Sequence, residues 1–187
     1  MKKMFLVLVS AALITGLYSF VSFKADTYNV VTDASRVEWV GSKKSGYHTG
    51  SFNLKGGQIT VDNGKLTGGK FVIDLTSVKS TEPSGGERLE GHLKSKDFFD
   101  VTTFNEATYE INSVNYTSAS TADISGNLSI KGLTVPVKFT ANIRNLDGKK
   151  FFGQANFNID RTLLGINYGT GMVSNDVQVG VYLFANK

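Results

Sequence analysis

From about residue 35 onward, apolar residues recur at every second position, and no other feature of the chain limits its fold so sharply. Val37 and Trp39 alternate with Arg36 and Glu38; Phe71, Ile73 and Leu75 alternate with Lys70, Val72 and Asp74. Val135, Val137 and Phe139 flank Pro136 and Lys138, and Val177, Val179, Val181 and Leu183 alternate with Gln178, Gly180 and Tyr182. A side-chain period of two gives a strand one apolar face. The pattern predicts about nine strands, near 35–41, 47–54, 57–62, 66–76, 105–115, 121–131, 134–145, 149–160 and 176–185. Asp62-Asn63-Gly64, Gly68-Gly69, Lys131-Gly132 and Asp147-Gly148 read as turns between them. One stretch, 84–93, is polar and Gly-punctuated with Leu89 and Leu93 four apart, which predicts a single short helix. Short connections make consecutive strands antiparallel neighbours. The fold class is therefore all-β, closing as a barrel or a sandwich. A sandwich fills its own interior, whereas a barrel of about eight strands either packs solid or encloses one ligand.

At 187 residues the chain is long enough for one domain with a real core. It has no Cys, which excludes disulfides, thiolate zinc sites, iron–sulfur clusters and thiol catalysis together. The formal charge is +4, but Lys2, Lys3 and Lys24 precede residue 26, and the remainder carries 17 basic against 16 acidic residues. So even a balance argues against a nucleic-acid partner, which needs a cationic excess to neutralise phosphates. Residues 1–25 differ in kind. Lys2 and Lys3 precede an apolar stretch opening at Met4 and running to Phe23, the layout of a signal peptide, with Ser22 or Ala25 as its last residue. An uncleaved anchor is the competing reading, because some twenty apolar residues just span a bilayer. Export predicts a periplasmic or secreted barrel domain over 26–187, with only transient membrane contact if the leader is removed.

Chemistry is thin. Gly64 to Lys70 matches the first seven places of a phosphate-binding loop, but Phe71 stands where Ser or Thr is needed and a strand follows in place of a helix. His48 and His92 are the only histidines, too far apart in sequence for a metal-ligand spacing. There is no nucleophile elbow, and the carboxylate pairs Glu87/Glu90 and Asp97/Asp100 read as a solvated helix and turn. Neither catalysis nor a metal or organic cofactor is expected. His92, beside the Phe98-Phe99 pair, and Arg161, at the edge of the apolar run Leu163 to Ile166, read either as loop-holding groups or as polar groups at a barrel mouth.

Four segments carry a family resemblance: Gly50-Ser51-Phe52; Gly85 to Asp100, with its His92-Leu93-Lys94-Ser95-Lys96-Asp97-Phe98-Phe99 core; Gly126 to Thr134; and Asp160 to Ile166. In this order they resemble the YceI family from about Tyr28 to Ala185. The chain departs from the family pattern at Asn105, where many members have Pro, and around Arg161, with Asp160 and Leu163-Leu164. The resemblance implies an extended, lipocalin-like antiparallel barrel, exported, without established catalysis, whose tunnel holds a long isoprenoid or fatty chain. An amphiphilic lipid is then the expected partner; a homodimer is one oligomeric state left open. The alternative is an interaction or stress-associated module of the same fold with a filled interior. Alternation turns Trp39, Phe52, Phe71, Ile73, Tyr109, Leu128, Ile130, Phe139, Phe157 and Val179 inward as the tunnel wall. The resemblance makes His92, Phe98, Phe99 and Arg161 the candidates for the mouth. A strand of ten residues, tilted near 40°, spans about 25 Å, room for a chain of some twenty carbons.

Overall fold

The alternating segments extend as strands because each can bury one face only by pairing with its neighbours. The computed structural model describes residues 25–82 and 84–187. Its elements are β1 (Asp26–Val30), β2 (Arg36–Lys43), β3 (Gly46–Asp62), β4 (Lys65–Asp74), β5 (Lys79–Ser80), α1 (Gly86–Lys94), β6 (Glu106–Tyr116), β7 (Thr121–Ile130), β8 (Leu133–Leu146), β9 (Lys150–Asp160) and β10 (Val173–Asn186). The leader expected over 1–25 lies, but for Ala25, outside the described residues.

All strand pairs are antiparallel, and the order β2-β3-β4-β6-β7-β8-β9-β10 returns to β2, so eight strands close a barrel. The seam is β9 against β10, paired continuously from Asp160↔Asp176 to Lys150↔Asn186. The β1 strand lies beyond the end of β2 in the same gap, pairing with β3 through Asp26↔Val61 and with β10 through Val30↔Ala185. A 3-10 turn, Thr32–Ala34, joins the two halves of this stave.

Three features differ from the sequence expectation. The segments 47–54 and 57–62 are one strand, β3: a bulge near Gly56 shifts the register against β4 but does not end pairing. Gly68-Gly69 is not a turn; both residues lie inside β4, opposite Thr60 and Ile59, next to a second bulge. The turn is at Asn63-Gly64, both with positive φ (49° and 74°), and Lys131-Gly132 repeats it (51° and 75°). These are the left-handed conformations of a tight two-residue hairpin. Finally, β1 and β5 escaped the pattern altogether.

The barrel has two unlike poles. One carries the turns after β3, β6 and β8. The other carries α1, the β2–β3 and β7–β8 turns and the loop 161–172. The buried apolar residues divide accordingly. One cluster, with Tyr28, Ile59, Phe151 and Ala185, fills the first pole; the second, with Trp39, Phe52, Leu75, Leu93, Leu164 and Ile166, lies under the helix.

Candidate ligand-binding cavity

Between these clusters the barrel is not filled. A cavity of about 260 Å³ runs along its interior, and the surface it presents is wholly apolar. All ten residues expected on the wall line it, from Trp39 on β2 to Val179 on β10. The bulges near Gly56 and between Ile111 and Ser113 shift the pairing locally but leave all ten of these side chains on the inner face. Sequence reasoning passed over further wall positions on the same alternation, among them Phe151, Gly153 and Ala155 leading to Phe157.

Large rings share the interior with inward glycines. Phe139 stacks on Phe157 with centroids 4.6 Å apart, and Tyr109 tilts against Phe139 at 5.5 Å. The Tyr109 hydroxyl donates to the Val137 carbonyl at 3.1 Å, and burial pushes its pKa up to about 12. Its ring lies over Gly126: a Cβ there would stand 2.6 Å from the phenol carbon and oxygen. Likewise the Trp39 indole covers Gly50, where a Cβ would meet ring atoms at 2.3 Å and the Lys79 carbonyl at 2.0 Å. Pairing large with small residues is how a narrow barrel fits its rings. Because the rings reach across the bore, the volume is smaller than strand length alone implies, just under the roughly 300 Å³ at which small-molecule pockets usually begin.

The mouth residues divide. Phe98 and Phe99 line the cavity, Phe99 edge-on to Phe52 at 5.3 Å. Arg161 also borders it and is only 4% exposed, but it points its nitrogens away. Nε, Nη1 and Nη2 donate to the carbonyls of Ser174 (2.8 Å), Ile166 (2.6 Å) and Val173 (3.1 Å). Burial of the guanidinium lowers its pKa, with Asp160 opposing that shift. Asp160 itself is committed to the turn, accepting from the Thr162 amide (2.8 Å) and hydroxyl (2.6 Å), and both bonds hold its carboxyl below the usual range. Asp74 makes the same bonds to Thr76 at the end of β4. Arg161 thus clamps the loop 161–174 across the pole. His92 is not on the cavity wall. It is half-exposed on α1, its Nε2 3.0 Å from Asp97 Oδ2, edge-on to Phe98 (5.0 Å) and Tyr168 (4.6 Å). Tyr168, which sequence reasoning missed for want of any alternation in its loop, also tilts against Phe98 at 5.3 Å. The other histidine, His48, pairs with Glu82, so the two imidazoles serve separate carboxylates.

A closed, up-and-down antiparallel barrel with one short helix and an apolar interior space defines the lipocalin-like class of barrels. Within that class the chain belongs to the YceI family: the YceI-like domain matches residues 28–185. A UPF0312 protein of Pseudomonas fluorescens (strain SBW25) is 30% identical over 185 residues, 94% of each chain. A UPF0312 protein of Pseudomonas putida (strain W619) is 36% identical over 116 residues, a match spanning 61% of this chain and 59% of that relative's length. Among solved structures, Burkholderia cenocepacia BcnA superposes with a TM-score of 0.73 at 22% identity, covering 84% of this chain and 99% of its own. A polyisoprenoid binding domain from Saccharophagus degradans, implicated in plant cell wall breakdown, gives 0.68 at 22% identity over 85% and 97%. At that identity these two likenesses establish the shared fold.

Proposed function

We propose that this protein is an exported, non-enzymatic carrier that holds the hydrocarbon tail of an amphiphilic lipid, isoprenoid or fatty, inside the barrel, with the polar head left at the helix pole. The observation that carries the reading is the cavity surface, which offers a ligand neither a donor nor an acceptor. A polar group drawn into such a space loses its hydration without replacement and is rejected. Hydrocarbon is favoured: each buried methylene contributes about 0.8 kcal/mol, so ten give roughly 8 kcal/mol against association costs of about 4–15 kcal/mol. Longer tails bind better until they protrude. The fold shared with the Saccharophagus degradans polyisoprenoid binding domain supports the isoprenoid option. The open interior speaks against the alternative of an interaction module with a filled core.

The test is direct. Protein purified without detergent from cells that export it should carry a lipid visible by native mass spectrometry and organic extraction. A ligand-free preparation that shows no thermal shift with added prenyl or fatty amphiphiles would remove the carrier reading and promote the interaction module.

A further inference from the structure

A cargo must reach the interior from somewhere, and both ends of the barrel are shut. At the first pole Tyr28, Ile59 and Ala185 are each at most 1% exposed, with Phe151 buried beside them. At the helix pole Leu93, Leu164 and Ile166 are buried under α1 and the loop 161–172. Both of these covers are fastened. The Glu90 carboxylate accepts from the Ser80 amide (3.0 Å) and from Lys79 Nζ (3.2 Å), and Lys131 Nζ donates to the Phe98 carbonyl. Arg161 holds the loop. The side wall, by contrast, is interrupted where β2 meets the start of β10. Gly41 pairs with Val177 but Lys43 pairs with Val173, so β10 advances four residues where β2 advances two. The other bulges of the barrel each insert one residue; this one inserts two. A bulge bends its strand and leaves the extra residues out of the ladder.

The interruption is framed rather than frayed. Above it the Lys44 amide donates to the Met172 carbonyl at 3.2 Å, and on the β10 side the Val173 and Ser174 carbonyls accept from Arg161. Gly41, Val173, Ser174 and Val177 all line the cavity. Gly41 also leaves space: apart from its chain neighbours, no atom lies within 4 Å of where its Cβ would stand. Gly153, the other glycine on the cavity wall, is covered by the Phe151 ring at 2.9 Å. We infer that this window is the portal of the barrel: the hydrocarbon tail enters and leaves sideways between β2 and β10, over Gly41, while α1 stays in place. The inference rests on the carrier reading and adds the path to it. Val177 and Trp39 give the window an apolar inner edge, and the exposed Ser42, Asn175 and Asp176 give it a polar outer one. A tail can therefore advance inward while its head stays in water. Glycine at position 41 supplies room and not conformation, since its φ is not positive. A side chain can be placed in the window without backbone strain.

Gly41→Phe is the variant that decides. Parent and variant full chains, stripped of lipid, are mixed with cis-parinaric acid, a fatty acid that fluoresces in apolar surroundings, and uptake and release are followed by stopped flow. The added ring should slow both rates about tenfold, because it obstructs the passage and not the bound state. Gly56→Phe, at a glycine equally free of neighbours but off the cavity wall, should leave both rates as in the parent. The end-on route is tested in the same assay. A Cβ at Gly86 would stand 3.3 Å from Ser80 Cβ, close to the roughly 3.5–4.5 Å of a disulfide. Ser80→Cys with Gly86→Cys therefore pins α1 to β5 in a chain that has no other Cys. The oxidised, pinned protein should exchange the probe at the parental rate. Unchanged rates in Gly41→Phe, or a pinned helix that slows exchange as much as Gly41→Phe does, overturn the window and leave the carrier reading standing. A parent chain that takes up no probe removes the carrier reading, and the window with it.

Discussion

Gly50 and Tyr109 show how little freedom single positions have in this wall. A methyl group at Gly50 would stand 2.0 Å from a backbone carbonyl held by the β3–β5 pairing, and no side-chain rotation relieves that. Gly50→Ala is therefore expected to destabilise the barrel by about 3 kcal/mol, the upper end of overpacking costs. An unfolding free energy within about 1 kcal/mol of the parent's would show that the indole and β5 yield after all. Tyr109 supplies a pH signature. Its folded pKa is raised to about 12 by burial, while the unfolded phenol titrates near 10. The unfolded state thus loses its proton first as pH rises. Stability from this group is complete below about pH 10 and falls away towards pH 12. Thermal melts should show that alkaline decline, and Tyr109→Phe should flatten it. An unchanged slope in the variant would assign the decline elsewhere.

Among the elements, the loop from Arg161 to Ser174 is held by one side chain bonding three carbonyls. Lysine keeps the charge but brings its donors from a single point and cannot span Ile166, Val173 and Ser174 together. Arg161→Lys should cost about 1–3 kcal/mol, as buried carbonyls go unpaired. Faster amide exchange across residues 164–174, with the β6–β7 hairpin unaffected, would place that loss in the loop; protection equal to the parent would refute the clamp. This is also the scale at which sequence reading succeeded and failed. Val179 needed only the alternation from Val177 to Leu183 to be placed on the wall, because each neighbour confirms the register. Gly68-Gly69 read as a turn, since a bulge and a turn leave the same glycine signal and only the partner strand distinguishes them. Asp26–Val30 is too short for alternation to register: Tyr28 is buried, but only beside β3 and β10, partners about 30 and 155 residues away. The role of Arg161 was undecidable in sequence for the same reason, because the carbonyls it bonds are brought to it by the path of the loop.

For the whole molecule, what the interior accepts is set by the rings and small residues that share the bore. Ala141 and Ala155 face each other across β8 and β9, both buried and both on the cavity wall. Ala155→Phe should shorten the longest tail recovered by native mass spectrometry without changing the head group, because the added ring takes volume from the tail's path. Retention of the full parental range of chain lengths would mean that the tail does not pass this point. The thermal shift produced by a saturating amphiphile should shrink in step, as ligand stabilisation follows affinity.

The seam between β9 and β10 has a consequence for when the protein becomes a container. Since β10 pairs with β9 on one side and with β1 and β2 on the other, the sheet has two open edges until that strand exists. A nascent chain that still lacks β10 is an unclosed ribbon with its apolar face bare, a ready client for holding chaperones. It encloses no volume, so it can hold nothing before that strand is paired. Closure by β10 is in effect a time lock: the interior exists only once that strand has been made and is paired on both sides.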